Sequence, residues 1–460
     1  MPTRRTNASR RPPAPGGRGV AALLTTILLV GCTDAPPEPT DRAATTSAPP
    51  SVDGSPAPVA SPSIDASASP DIGAPIEPGA TSVQLTPPPG GSFLVRGRYP
   101  RTPTRCRDPE PTTLTGRFPG TLHVRRVDDG TLTLTIALPF DRYLEGIAEV
   151  PSSWPRAALD AQAIAARSYA LATTGWSGAE GDSLGQAICA TASCQVYRGI
   201  PVSPDPTYRR WVRAVRRTDG LVLLDEGRPA TTVYYSTSNG RTYGNEDVFG
   251  SPPLPYLRPV VERDDGASPT SRWRVRLPFD DLTHILRAAG SWPRDRTIVA
   301  ALPVAGGVRL RGGDATRTIS ADDLRAAVNT WAPCLEPASY PPRIPGGRLP
   351  LTIPSHWLAF SAGDRSLLVT GRGWGHGVGM VQWGAYGKAG AGRSAEEILA
   401  FYYGGLRPRS YPQPGLIRVE VATGLVGLRL VASGAGAEID GRPVPRSLRI
   451  SGRPRLRVRG

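Results

Sequence analysis

The composition of the chain changes abruptly near residue 91, and this change limits which part of it can fold. Residues 33–91 are dominated by Pro, Ala, Ser and Thr and contain few large apolar side chains. Such a segment buries too little apolar surface to offset the entropy lost on ordering. We therefore predict a disordered linker over residues 33–91 that precedes a folded body over residues 92–405.

Beyond residue 91 the sequence shows many short strand patterns and a few separated helical patterns. Period-two alternation of apolar and polar residues predicts half-buried strands near residues 93–97, 131–136, 220–224, 231–235, 273–277, 308–310 and 366–370. Helical patterns lie at residues 155–173, 208–217, 281–288, 321–331 and 395–403. This mixture predicts an α+β, strand-rich fold. Residues 406–460 form either a β-rich extension or a tail, and the sequence does not decide between the two.

The amino terminus has the layout of an export signal. Several arginines precede an apolar run at residues 20–30, which is shorter than the roughly 20 residues needed to span a bilayer. The run ends in Gly31-Cys32, which resembles a bacterial lipobox. We predict a lipoprotein signal peptide over residues 1–32 and a lipid on Cys32, so that the protein is extracytoplasmic and membrane-anchored. An ordinary signal peptide and a twin-arginine signal stay open as alternatives.

Four further cysteines form an even set, as expected in an oxidising compartment. Cys189 and Cys194 are close enough in sequence to close a small loop by a disulfide. Elimination then leaves Cys106 to pair with Cys334. A metal site is the competing use of these thiols, but no histidine lies near Cys189 and Cys194, and two thiolates alone make a poor zinc site. We therefore expect two disulfides and no metal.

The net charge of +15 does not by itself indicate a nucleic-acid partner. Lys388 is the only lysine, and the arginines are scattered along the chain rather than clustered on one predicted element. This distribution favours a compositional bias toward arginine. We expect no nucleic-acid partner, and at most weak association with anionic polymers or headgroups of the envelope.

The first of three unusual segments places an acid just before a proline. Pro151 disfavours helical geometry at Val150, so a short helix starting at Asp141 should end near Glu149. A carboxyl at the negative pole of a helix resists ionisation, which suits a general acid. A solvated loop acid is the alternative. In the helix that follows, Gln162 shares a stripe with alanines and should face neighbouring elements.

The other two segments are rich in hydroxyl groups and in glycine. A strand pattern runs into residues 236–242, whose hydroxyls could bind sugar, although an ordinary turn is the alternative. Seven glycines surround His376 within residues 371–387. Since glycine permits close backbone approach and positive φ, we expect an exposed His376 beside aromatic rings suited to sugar stacking. A structural turn with a hydrogen-bonded histidine is the alternative.

Together these segments resemble the SpoIID/LytB family, which comprises stage II sporulation protein D and the amidase enhancer. The resemblance rests on residues 143–151, 161–167, 194–199, 236–242 and 373–380, and it covers roughly residues 122–405. It implies a lytic transglycosylase that cuts MurNAc–GlcNAc bonds of peptidoglycan strands stripped of stem peptides. Glu149 would be the single catalytic acid and base, and no cofactor is implied.

The resemblance also implies which residues contact the glycan, namely Gln162, Arg167, Tyr235, Ser236, Ser238, His376 and Gln382. The implied partners are peptidoglycan, the membrane through the lipid, and a cell-wall amidase. A different function stays open, in which the protein binds peptidoglycan without cleaving it and enhances an N-acetylmuramoyl-L-alanine amidase. A structural lipoprotein with a decayed site is a third alternative. The sequence does not distinguish sporulation from vegetative wall remodelling.

Overall fold

The computed structural model describes residues 80–100, 113–179, 186–204, 206–344, 347–453 and 455–460. The predicted signal peptide, Cys32 and Cys106 lie outside the described residues. The predicted α+β, strand-rich fold is confirmed by the helices and sheets of the described part of the chain.

The described helices are α1 (Phe140–Glu145), α2 (Arg156–Thr174), α3 (Tyr208–Arg217), α4 (Asn245–Phe249), α5 (Phe279–Ala288), α6 (Ala321–Leu335), α7 (Gln382–Gly390) and α8 (Ala395–Tyr402). The strands of the first half are β1 (Ser82–Thr86), β2 (Ser92–Arg98), β3 (Thr113–Pro119), β4 (Thr121–Arg126), β5 (Leu132–Pro139), β6 (Ile188–Cys189), β7 (Leu221–Val222), β8 (Leu224–Asp225), β9 (Arg228–Pro229) and β10 (Tyr234–Tyr235). The remaining strands are β11 (Trp273–Pro278), β12 (Ala300–Val304), β13 (Gly307–Gly312), β14 (Ala315–Ser320), β15 (Arg343–Ile344), β16 (Gly347–Arg348), β17 (Leu358–Ala362), β18 (Ser366–Gly371), β19 (Met380–Val381), β20 (Arg409–Ser410), β21 (Leu416–Leu425), β22 (Gly427–Ala432), β23 (Glu438–Ile439), β24 (Arg442–Pro443), β25 (Ser447–Ser451) and β26 (Arg457–Arg459).

Two larger sheets join the two ends of the described chain. The first has the strand order β24-β23-β1-β4-β5-β21-β6, and the second has the order β26-β25-β22-β2-β3. In the first sheet β21 lies antiparallel to β5, and in the second β22 lies antiparallel to β2. The strands after residue 415 therefore complete sheets begun near residue 82, which answers the question that the sequence left open.

The predicted end of the disordered linker is wrong. The linker was expected to reach residue 91, but Ser82–Thr86 form β1, which pairs with β4 and with β23. Val83 and Leu85 are buried on one face of this strand. The alternating pattern of β1 is only five residues long and lies in a proline-rich background. The stability of this strand therefore depends on its pairing with distant strands.

Helix α2 is the central helix of the part of the fold that carries the predicted acid. Most of its residues are buried, and alanines occur on several of its faces. Small side chains let α3, α7 and α8 approach its axis closely, since interhelical distance depends on the side chains at the contact. The helix ends at Gly175, which adopts a left-handed conformation with φ of 70°. Gln162 is fully buried on this helix, as predicted.

A second hydrophobic core lies between α5, α6 and the sheet β11-β18-β17. Trp273, Val275 and Leu277 of β11 point into this core, and the arginines between them point outward. One face of the sheet is therefore packed against helices, while the other is exposed and basic. Within the described ranges, no helix has both the length and the apolar character needed to cross a membrane.

Helix α7 was not predicted, because its glycines oppose helix formation in isolation. Packing explains them. A Cβ atom at Gly384 would lie 2.1 Å from the Tyr402 hydroxyl, and one at Gly387 would lie 2.0 Å from the Asp264 carbonyl oxygen. Salt bridges of Lys388 further stabilise the position of this helix. The Lys388 Nζ lies 3.1 Å from Glu262 Oε1 and 2.6 Å from Asp264 Oδ2.

We expect Lys388→Met to destabilise the protein by about 3–5 kcal/mol, because Glu262 would be left fully buried without its cation. Arg393→Gln is the control, since its exposed ion pair with Glu397 should contribute less than about 1 kcal/mol. Urea unfolding of both variants measures the loss in the free energy of unfolding. Equal losses in the two variants would contradict a stabilising role for the buried ion pair of Lys388 with Glu262.

Candidate active site

Glu149 is held by backbone pairing between two short segments. The Ala148 N–H donates to the Val196 carbonyl at 2.9 Å, and the Arg198 N–H donates to the Gly146 carbonyl at 3.0 Å. The Val196 N–H then donates to the Glu149 carboxylate at 2.7 Å. This pairing fixes the carboxyl of Glu149 in position while leaving the residue partly exposed.

The predicted cause of the raised Glu149 pKa is wrong. Helix α1 ends at Glu145, so Glu149 lies beyond the helix and not at its carboxyl end. The chain leaves the helix because its next residues pair with residues 196–198. The pKa of Glu149 is nevertheless raised from 4.5, chiefly because burial desolvates the carboxylate. The Val196 N–H, the Gln382 side chain and the Arg198 charge oppose this effect without cancelling it.

The predicted disulfide between Cys189 and Cys194 is confirmed, with a Cα–Cα distance of 5.5 Å. It closes the loop between β6 and the segment that carries Val196. Cys189 itself lies in β6, which pairs with β21. The disulfide therefore joins the Glu149 support to the larger sheet. Cys334 is also disulfide-bonded, and its predicted partner Cys106 lies outside the described residues.

One predicted glutamine lies beside Glu149 and contacts the other. The Gln382 side chain lowers the pKa of Glu149, and its Nε2 lies 3.4 Å from Gln162 Oε1. Gln162 Nε2 is buried without a hydrogen-bond partner among the described residues. These three residues, together with the tyrosines Tyr143, Tyr169 and Tyr234, are called the Glu149 cluster below. Glu149, Gln162 and Gln382 are far apart in sequence, and the fold brings them together.

The tyrosines of the Glu149 cluster surround the carboxyl. Burial raises the pKa of Tyr143, Tyr169 and Tyr234, and the negative charge of Glu149 raises each of them further. The Tyr234 hydroxyl donates to Gln195 Oε1 at 2.9 Å. These phenols therefore stay protonated at neutral pH.

Tyr235 was predicted to contact the substrate, whereas Tyr234 was not. Neighbouring residues of a strand point to opposite faces, so only one of them can face Glu149. In β10 that residue is Tyr234. Tyr235 is buried on the other side, with its ring centroid 5.3 Å from that of His376. Strand alternation indicates that the two tyrosines differ, but it does not tell which one faces the site.

Alternate glycines of residues 373–379 allow the glycine-rich segment to pack directly against β10. Gly373, Gly375, Gly377 and Gly379 all have positive φ. A Cβ atom at Gly379 would lie 2.1 Å from the Val233 carbonyl oxygen. The close approach lets β19 pair in parallel with β10, and α7 with Gln382 follows immediately. The segment thus delivers Gln382 to the Glu149 cluster.

His376 is only partly exposed, and both of its ring nitrogens bind backbone. Nε2 lies 2.9 Å from the Tyr234 carbonyl oxygen, and Nδ1 accepts the Val378 N–H at 3.1 Å. This pattern requires the neutral tautomer with the proton on Nε2. Desolvation lowers the pKa of His376 to about 4. The placement matches the alternative of a hydrogen-bonded histidine in a structural turn, rather than the expected exposed ligand.

Ser236 and Ser238 lie in different surroundings. Ser236 is partly exposed, and its carbonyl accepts the Trp383 N–H at the start of α7. Ser238 is buried, and its N–H and Oγ both donate to Asp265 Oδ2 at 2.7 and 2.8 Å. Ser236 therefore borders the site, whereas Ser238 stabilises its own turn.

Arg167 lies in the interior, with 1% of its surface exposed. Its guanidinium donates to the carbonyls of Val215 and Leu221 and to the Thr218 hydroxyl. Burial lowers its pKa to about 10, so it stays charged at neutral pH. Arg167 joins α2 to α3 and β7, and this placement gives no direct access to a substrate.

An aromatic cluster next to Gln382 was only partly anticipated. Trp154, Trp383 and Tyr386 pack with ring centroids 5.0–5.2 Å apart. Trp383 and Tyr386 were among the predicted stacking aromatics, while Trp154 was not singled out. Trp374, the third predicted aromatic, is 38% exposed. Aromatic faces of this kind provide apolar surfaces on which sugar rings can stack.

Comparison with known proteins agrees with this arrangement. Residues 128–224, which contain Glu149, match the family described as SpoIID, stage II sporulation protein. The predicted resemblance to the SpoIID/LytB family is thereby confirmed. The matched range contains both segments of the backbone pairing around Glu149.

Curated relatives extend the similarity beyond this range. The chain is 27% identical over 285 residues to an uncharacterised protein of Brachyspira hyodysenteriae, covering 60% of this chain and 68% of that protein. It is 27% identical to the amidase enhancer of Bacillus subtilis, covering 57% of this chain and 39% of that protein. It is 25% identical to the stage II sporulation protein D of Bacillus subtilis, covering 58% of this chain and 74% of that protein.

The state of His376 can be checked directly. We expect ¹⁵N NMR to show a neutral ring protonated on Nε2, titrating near pH 4. Because the folded pKa is below the unfolded value of 6.5, this residue contributes stability that is fully present above pH 6.5. That contribution is lost as the pH falls from 6.5 toward 4. A ring that titrates near 6.5 would contradict the buried, backbone-bound placement.

Proposed function

We propose that the protein is a peptidoglycan lytic transglycosylase in which Glu149 is the single catalytic carboxyl. The observation that carries this proposal is the partly exposed carboxyl with a raised pKa, held between Val196 and Gln382. A raised pKa keeps the proton available for donation nearer neutral pH. The predicted lipid on Cys32 would anchor the protein at the outer side of the membrane. Fractionation of cells into membrane and soluble pools tests this anchoring.

The proposed reaction uses Glu149 twice. As an acid, Glu149 protonates the oxygen between MurNAc C1 and GlcNAc while the C1–O bond breaks. As a carboxylate, it then takes the proton from the MurNAc C6 hydroxyl, whose oxygen bonds to C1. The product is a 1,6-anhydroMurNAc end, and the proton returns to Glu149 without consumption of water.

The surroundings of Glu149 suit both steps. Desolvation favours the protonated acid, while the Val196 N–H and the Gln382 side chain stabilise the carboxylate once the proton has left. Arg198 is exposed, and its charge acts on Glu149. Ordinary glycosidases need a second carboxyl as nucleophile or base. Here the C6 hydroxyl replaces the nucleophile, so one carboxyl is sufficient.

Enhancement of an amidase is the second candidate function. It is favoured by the relative named amidase enhancer, although the alignment covers only 39% of that protein. In this case the Glu149 cluster would bind glycan strands without cleaving them. The aromatic cluster of Trp154, Trp383 and Tyr386 is compatible with either function, since both require sugar binding.

The variant Glu149→Gln distinguishes the two functions. We expect release of 1,6-anhydroMurNAc products from denuded strands, measured by mass spectrometry, to fall by about 10²–10⁴-fold. Sedimentation with purified glycan should be retained, because the amide preserves the shape of the side chain. Glu396→Gln, which removes an exposed carboxylate of α8, is the control and should keep full activity.

Equal product release by the parent and Glu149→Gln would contradict the transglycosylase. If neither releases product but both stimulate a purified cell-wall amidase equally, the enhancer function is supported instead.

A further inference from the structure

A groove of about 730 Å³ lies against the sheet β11-β18-β17. Among the described residues that line it, Arg272, Arg274, Arg343 and Arg372 are exposed arginines, and none is an Asp or Glu. The groove shares no residue with the Glu149 cluster. Its charge is therefore a separate feature of the surface, not part of the site described above.

The four guanidinium groups make no hydrogen bond or ion pair with any described part of the chain. Several other arginines of this region have partners, such as Arg276 on Ser366 and Arg348 on the Tyr340 carbonyl. Four unpaired cations around one concave surface repel each other, and a bound anion relieves that repulsion. Arginine forks also bind planar or tetrahedral oxyanions through two parallel hydrogen bonds.

The arrangement of the arginines indicates a chain rather than a single ion. Arg272 directly precedes β11, and Arg274 lies on the exposed face of that strand two residues later, so their Cα atoms are roughly 7 Å apart if the extended geometry continues. Arg372 directly follows the neighbouring strand β18, and because Trp273 pairs with Gly371, Arg372 lies beside Arg272. Arg343 lies across the groove on β15. Anionic groups that recur at short intervals along a flexible chain match such a row.

The floor of the groove is apolar enough to take the links between charged groups. Trp357, Ile344 and Leu358 line the groove and are partly buried. A polyol phosphate chain offers both features, a phosphodiester at each repeat and a short carbon linker between them. A glycan with one carboxylate per disaccharide spaces its charges more widely.

We propose that this groove binds a linear polymer of phosphodiester groups joined by short polyol linkers. The polymer would hold the protein beside anionic envelope material independently of glycan binding at Glu149. A polymer bound in the groove lies against Arg372, which directly precedes the glycine-rich segment at Gly373.

The test is binding of fluorescent, lipid-free poly(glycerol phosphate) to the full chain, measured by anisotropy at several salt concentrations. The double variant Arg272→Gln and Arg274→Gln should weaken binding by about tenfold or more and make its salt dependence shallower. Arg309→Gln with Arg311→Gln is the matched control, since these arginines are also exposed and two residues apart on a strand. The control should bind within about twofold of the parent.

Two further probes identify the ligand class. Polyglutamate should bind to the protein more weakly than the phosphate polymer does. Phosphatidylglycerol vesicles should bind to the groove double variant and to the control double variant with the same affinity. The proposal would be overturned if both double variants weakened binding of the polymer equally. It would also be overturned if polyglutamate bound as tightly as the phosphate polymer, or if the protein bound vesicles but not the polymer. Melting temperatures equal to that of the parent show that any loss arises from the groove and not from unfolding.

Discussion

The hydrogen bond from the Val196 N–H to Glu149 fixes the carboxyl on which the proposed chemistry depends. It lies next to a short backbone pairing in which Ala148 and Arg198 take part. A side chain at the end of a loop would otherwise sample many rotamers and remain solvated. The pairing orders it, and the Cys189–Cys194 disulfide closes the loop that supplies the donor.

Close packing of the glycine-rich segment against β10 also helps to position the surroundings of the Glu149 carboxyl. The glycines before Met380 let β19 reach β10, and this pairing determines where α7 begins. Gln382, the first residue of α7, then reaches Glu149. His376 contributes by holding the segment through its two ring nitrogens, and the buried pair of Lys388 and Glu262 anchors the helix. The glycine-rich sequence is therefore explained by packing that positions a neighbour of the acid.

Local sequence patterns predicted the elements that depend mainly on local interactions. The arginine-rich amphipathic pattern placed α3 at residues 208–217, and the structure has the same bounds. The close cysteines predicted their disulfide correctly. Strand β1 and helix α7 were missed because distant partners stabilise them. Neither a five-residue alternation nor a glycine-rich run carries that information.

The candidate site was predicted in part, and for physical reasons that differ between residues. Glu149, Gln162 and Gln382 do meet in the fold. Arg167 and His376 belong to the same motifs but bind backbone atoms. A motif can contain a polar residue that is buried for structural reasons or one that contacts the substrate. The sequence alone does not distinguish these two cases. The raised pKa of Glu149 was expected from a helix dipole, whereas desolvation is its actual cause.

The most direct test is a ¹³C NMR titration of the Glu149 side-chain carboxyl in the folded protein. A midpoint above 4.5 is the result that burial of this group requires. A midpoint at or below 4.5 would mean that the carboxyl is solvated or dominated by its donors, and Glu149 would then be unsuited to donate the proton.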